Sequence, residues 1–485
     1  MIPMRSLFIL TVSVFMCAAF ALAQSRGGNW PTFGGDAQRS GWEGADARIS
    51  KDTVKDLQLL FKIKLEMQSK GTRPLMPPVI MGRLISYRGF RELAFVGSNA
   101  DIVYAIDADL GTIFWQKHLE YSTREPQVTA STPDCPGGMT ATPTMSVPGV
   151  TGQRGAAPPA PARGGPQTPA ASFIAGTASV YAISSDGRLH RLNVSTGDDI
   201  VQPVQVLPAN SRTSNLMMVN NTIYTVTSPA CNLTKNAVWA VDLTVDPPKA
   251  TSFALNADEV AGTAGPVIGA DGTVYVQTSG RLLALNAGDL ALKKEFNPEN
   301  KFSYDGLNPM PPLVFQFKGR EIIAAARKDG RLSLLDSNAG TSSIVETPLS
   351  VSGGLSSWQD ADGTRWVLAP VWGRNGSSPN GSISAFKVED QGGKAVLTSA
   401  WVSRDMISPL PPVIASGVVF ALSAGKNGTR ATLYALDAAT GKELYSSRNQ
   451  IATSASLAGM TVSNGRVYFN TMDGTLYAFG MFMEH

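Results

Sequence analysis

The stretch Leu433–Tyr445, LYALDAATGKELY, decides the fold. Apolar residues alternate up to Asp437, Thr440-Gly441 supplies a tight turn, and a second strand leaves through Leu444 and Tyr445. Weaker copies read VYAIDADLGTIFW from Val103, LHRLNVSTGDDI from Leu189, VWAVDLT from Val238, LLALNAGDLALKKEF from Leu282, LSLLDSNAGTS from Leu332, ISAFKVEDQGGK from Ile383 and LYAFG from Leu476. The copies recur about every 43 to 51 residues, with one interval of roughly 86, and a repeat of that length made only of short strands is the mark of a radial β-propeller with one blade per copy.

Eight copies therefore predict eight blades. The one long interval contains residues 149–171, GVTGQRGAAPPAPARGGPQTPAA, whose Pro, Gly and Ala content cannot bury a core and is expected to be a disordered insertion. The last copy has no outward strand after it. Near the start, Leu57 to Leu65 reads LQLLFKIKL, an alternating strand with no blade of its own. The expected fold is all-β: an eight-bladed propeller of four-stranded blades, closed by that N-terminal strand pairing with the last blade and removing its open edge.

Local signals agree with this reading. Asp186-Gly187, Asp271-Gly272, Asp329-Gly330 and Asp473-Gly474 mark turns between alternating strands, and no helical apolar period of useful length follows the first few dozen residues. The Asp of the repeated phrase is expected to accept backbone amides of its own turn, a structural duty and not a catalytic one. A net charge of +3 with 16% charged residues supplies no basic stripe, so nucleic acid is not an expected partner. Arg5, the apolar run Leu7–Leu22 and the small-residue site Ala21-Leu22-Ala23 read as a signal peptide over 1–23, too short for a spanning helix, and Val14-Phe15-Met16 before Cys17 does not suit lipid attachment. The expected organisation is an entry segment over 24–56 and a single propeller over 57–485, in a periplasmic or extracellular monomer.

Without the leader two cysteines remain, Cys135 and Cys231, at the start of the second blade and inside the third; they are candidates for one disulfide or for two free thiols. No CxxCH motif for haem and no CxxC zinc pair is present, and His118, His190 and His485 fall at unrelated points of the repeat. A Ser-His-Asp triad has no support, because neither internal His lies near a turn-borne Ser motif. No paired carboxylates at loop positions suggest a carbohydrate-acting protein.

DGTLYAFG from Asp473 and LYALDAATGKELY from Leu433 resemble the pyrroloquinoline-quinone (PQQ) repeat, and NWPTFGGDAQRSG, Asn29 to Gly41, is similar to the entry segment of the quinoprotein dehydrogenases. Met310 to Asp336 resembles the stretch in which a cation before an Asx-Gly turn reaches the quinone, which implies that role for Lys328. Cys135-Pro136-Gly137-Gly138 is similar to an entry loop of several of those enzymes. Arg73, Arg212, Arg327 and Arg374 fall in inter-strand loops, where they are either ordinary solvated cations or suited to an anionic quinone, and Trp358 and Trp372 are either packing residues between blades or candidate floors for a planar ligand. The resemblance makes Asp305, in FSYDGLNP, the nearest candidate for a general base, although Gly306 also makes it an ordinary turn Asp.

The chain departs from those enzymes in lacking a Cys-Cys pair, and in a second blade, FIAGTASVYAISSDG from Phe173, with no Glu for calcium. PQQ is thus an open expectation, with no evident calcium site and no haem. Two main readings stand: a quinoprotein-like propeller that binds a small anionic or quinone ligand in its funnel, catalysis undecided, or a non-catalytic scaffold that binds another envelope protein.

Overall fold

The computed structural model describes residues 28–481 apart from 45, 69–72, 87–88, 120–137, 148–177, 229–235, 257–264, 297–309, 328–329, 340–341, 346–349, 374–379 and 427. The described elements are β-strands and one short 3-10 turn, Val54–Asp56. The strands form eight small sheets arranged as an eight-bladed propeller, mostly of four strands each. Blade one shows the pattern, with Val79–Ser86 innermost, then Gly89–Ser98, Ile102–Asp107 and Thr112–His118 outermost, each antiparallel to the last. Blade seven repeats it with Val413–Ala415, Val418–Ser423, Thr432–Asp437 and Glu443–Ser446.

The third strand of each blade carries the repeated phrase, and it is largely buried because both of its faces meet neighbouring blades. In Ile102–Asp107 every residue is buried. The acid that ends the phrase works as the sequence implies: Asp437 Oδ1 accepts Ala439 N at 2.9 Å and Thr440 N at 3.0 Å, and Asp107 Oδ1 accepts Asp109 N and Leu110 N, both at 3.1 Å. The glycine after it has a second purpose. Gly441 (φ +72°) and Gly197 (φ +79°) lie against the indoles of Trp401 and Trp115, which come from the outer strand of the preceding blade. Each indole Nε1 donates to the same turn, Trp401 to Ala438 O at 3.1 Å and Trp115 to Val194 O at 2.9 Å. The Thr-Gly turn is thus a socket for the neighbouring blade.

Blade eight comprises Ala455–Ser463, Arg466–Thr471 and Thr475–Gly480, and its fourth strand is Gln58–Lys64, antiparallel to Thr475–Gly480. Phe61 of that N-terminal strand meets Gly111 of blade one, so the socket contact recurs at the closure. Inward of it, Glu92 accepts Arg466 Nη1 at 2.8 Å, Asn464 Nδ2 at 3.0 Å and the Tyr468 hydroxyl at 3.1 Å, while Arg466 Nη2 reaches Asp109 at 2.7 Å. Glu92 and Arg466 are almost wholly buried, and burial pushes the Glu92 carboxyl up to about 7 against the pull of Arg466, Asn464 and Tyr468. Four blades away, between blades four and five, Glu321 makes the corresponding contact with the Tyr275 hydroxyl at 2.9 Å.

Candidate functional site

The antiparallel blades give the ring two unlike mouths. At one, each blade turns from its second to its third strand and the chain enters the inner strands; this is the entry mouth. At the other lie the hairpins from first to second strand and the Thr-Gly turns. Residues 28–48 run through the ring on this second side as a thread. Trp30 N donates to Ile80 O of blade one at 2.8 Å, and Pro31 O accepts Met145 N of blade two at 2.8 Å. Thr32 Oγ1 donates to Leu216 O of blade three at 2.7 Å, and Gln38 Nε2 to Ile268 O of blade four at 2.9 Å. Ser40 O then accepts Ser357 N of blade six, Gly41 O accepts Ile414 N of blade seven at 2.7 Å, and Asp46 accepts Gly465 N of blade eight at 2.6 Å. The thread therefore bonds to seven of the eight blades.

At its middle Arg39, 2% exposed, donates to Phe33 O, Asn215 O and Pro266 O, joining blades three and four. Burial lowers its pKa to about 9, with Asp36 opposing, and burial raises Asp36 despite its bonds from Ser40.

The topology brings four of the sequence candidates to the entry mouth. Arg73 lies two residues before Leu75, which bridges to Ser98 at the end of blade one's second strand. Arg212 pairs with Ser228 at the end of blade three's second strand. Arg327 N donates to Arg331 O in the turn that follows blade five's second strand, and Trp372 ends the second strand of blade six opposite Gly381. Arg73 and Arg327 are buried, Arg212 half-buried, and Trp372 is exposed. Trp358 does not join them. It stacks on Trp366 with ring centroids 5.8 Å apart, inside the core between blades six and seven, because an indole on an inner strand is held by the next blade and withdrawn from the funnel. Lys328, Asp305, Arg374, Cys135, Cys231 and the insertion 149–171 lie outside the described residues.

A polar constellation at this mouth corrects one reading of the sequence. His190 Nδ1 lies 2.9 Å from Asp199 Oδ1 and its Nε2 3.2 Å from Ser184 Oγ, so Ser, His and Asp do come together. The sequence hid this because Asp199 sits past the Thr-Gly turn of blade two, across the strand from His190. The geometry is structural: Ser184 is 3% exposed and its hydroxyl donates to Asp186 at 2.5 Å, which leaves no approach for a carbonyl. Beside it Asp101, at φ +57°, accepts Ser185 N at 3.0 Å and the Ser185 hydroxyl, tying the turns of blades one and two together. Burial raises Asp101 to about 6.

These residues can be tested against the cofactor pair of the quinoprotein dehydrogenases. Arg73 and Arg327 are buried and each of the three arginines has a partner within the protein, while Trp372 is exposed. Among the described residues, no group of three His, Cys, Asp or Glu is placed to hold a metal ion, and the acids at this mouth are engaged with Ser and His partners. The calcium-bound quinone does not fit what is described, and no redox step is derived from it.

Comparison with curated proteins finds no sequence match. Among solved structures the chain is similar to the quinohemoprotein alcohol dehydrogenase of Comamonas testosteroni, at 16% identity and TM-score 0.56, covering 94% of this chain and 81% of that one. A europium-containing methanol dehydrogenase matches at 11% identity and TM-score 0.59, over 94% and 98%. BamB of Moraxella catarrhalis matches at 16% identity and TM-score 0.51, over 88% and 99%. At such identities these likenesses establish the shared fold. No helix among the described residues is long and apolar enough to cross a membrane. The family model described as "Outer membrane protein assembly factor BamB" matches residues 82–289 and 379–480, more than half of the chain, and to that family of PQQ-repeat propellers this protein belongs.

Proposed function

We propose that this protein is a non-catalytic propeller of the cell envelope that acts by binding another envelope protein, exported by an N-terminal leader removed near Ala23. The family match carries this reading, since its described role is outer membrane protein assembly. The solved BamB structure, spanned by this chain over 99% of its length, is consistent with it. The test is a deletion strain complemented with wild-type protein. Loss of the protein should lower the amount of folded outer membrane protein, read by heat-modifiable migration. Unchanged outer membrane protein levels, together with dye reduction by purified protein supplied with PQQ and calcium, would overturn the reading.

A second reading is favoured by the grouping of Arg73, Arg212, Arg327 and Trp372: the entry mouth binds an anionic planar molecule without turning it over. PQQ itself is the probe. It should quench tryptophan fluorescence in the wild type, and Arg212→Ala should weaken binding by about one to two orders of magnitude, as loss of a charge-assisted contact of roughly 1.5 to 3 kcal/mol requires. Quenching that ignores Arg212→Ala would leave the assembly reading alone.

A further inference from the structure

Large apolar side chains exposed to solvent are few in this ring and unevenly placed. Of eight among the described residues, four belong to one end of blade one: Ile85, Phe90, Leu110 and Ile113, the first two each 68% exposed. Ile85 and Phe90 face each other across the hairpin between the blade's first and second strands, beyond the Leu84–Arg91 pair. Leu110 precedes Gly111 in the turn from third to fourth strand at the same end, and Ile113 opposes Ile106 just past it. Space is open beside Gly89, where a Cβ would meet nothing within 4 Å.

Its charge completes the pattern. The Arg83 guanidinium lies 5.1 Å from the Phe90 ring centroid, and no carboxylate among the described residues pairs with Arg83. Exposed Arg48 stands close by, its Nη1 donating to Asn464 O at 2.9 Å while Asn464 Nδ2 reaches Gly82 O at 3.4 Å. Exposed aromatic and aliphatic side chains at one end of a blade, with arginines beside them, match the boundary of an anionic bilayer, where the rings enter the acyl border and the guanidiniums stay with the phosphates.

We propose that this end of blade one, Ile85, Phe90, Leu110 and Ile113 with Arg83, is a peripheral membrane-docking surface for anionic phospholipid. It sits on the threaded side of the ring, which leaves the entry mouth facing away from the lipid. The proposal does not depend on the assembly reading, because its test contains no second protein.

The experiment is flotation of the mature protein with vesicles of equal parts phosphatidylglycerol and phosphatidylcholine, beside vesicles of phosphatidylcholine alone. Wild type should float with the anionic vesicles, and salt should release much of it. Ile85→Ser with Phe90→Ser should lower the partition coefficient by about tenfold or more, as loss of two buried apolar side chains requires. Arg83→Glu should lower it by about fivefold or more on anionic vesicles and leave neutral ones unaffected. Because these side chains are exposed, thermal midpoints should match wild type, which separates docking from folding. Wild type that stays in the soluble fraction, or variants that float as wild type does, would overturn the proposal; so would binding that needs a protein in the membrane.

Discussion

Gly441 shows how one residue carries two requirements. Its φ of +72° disfavours any side chain, and a Cβ there would lie 2.5 Å from the Trp401 ring, which Val419, Ala438 and the other core side chains around it hold in place. Gly441→Ala should therefore cost more than an ordinary turn substitution, about 2 to 4 kcal/mol from strain and lost packing together, read as a lower urea midpoint. Gly272 is the control: its φ is also positive, but nothing lies within 4 Å, so Gly272→Ala should cost about 1 kcal/mol. Asp101 makes a different prediction. Its pKa is 3.8 unfolded and about 6 folded, so the fold binds its proton more tightly. The stability it contributes is full below pH 3.8 and is lost as pH rises through 6, by about 3 kcal/mol at most. Asp101→Asn, whose side chain tolerates positive φ, should flatten that part of the stability profile, measured by urea unfolding from pH 4 to 7.

At the scale of strands, closure is the vulnerable feature. Gln58–Lys64 completes blade eight, and without it Thr475–Gly480 would present an unpaired edge. A chain that keeps residues 28–48 but carries proline at the adjacent positions Lys62 and Ile63, so that a ladder donor towards Thr475–Gly480 is lost, should be dimeric or aggregated by light scattering. This strand was legible in the sequence because alternation is a local signal, and because the final LYAFG lacked a partner. The blades were legible for the same reason: Asp437, Thr440 and Gly441 make their turn within five residues. Blade two was harder, since its inner strand is reduced to the bridge between Thr144 and Tyr181, and its outer one to Val204–Gln205. Trp358 stayed open in the sequence because an indole beside a loop reads alike whether it faces a ligand or packs against another blade, and only the position of Trp366 decides.

For the whole ring, the seam between blades eight and one concentrates its buried charge. Arg466→Met would leave Glu92 buried without its cation, at a cost of about 3 to 5 kcal/mol. Since Glu92 titrates near 7, the loss should be larger at pH 8, where its carboxylate is ionised, than at pH 5, where it carries a proton; thermal midpoints at the two pH values check this. The candidate site was less legible than the fold. Placing Arg73, Arg212, Arg327 and Trp372 at one mouth needs the direction of every strand, and the sequence supplies loops without saying which end they occupy. The thread was legible least of all. NWPTFGGDAQRSG stood out as a segment, yet the thread it belongs to has partners up to 435 positions away, where Gly28 O accepts the Ser463 hydroxyl. That distance sets a timetable. Residues 28–48 leave the ribosome before any blade exists, and the atoms that receive Asp46 are among the last to be made. The opening of the chain must therefore wait, unmated, until the final blade arrives, and the finished ring is drawn tight by the piece that was synthesised first.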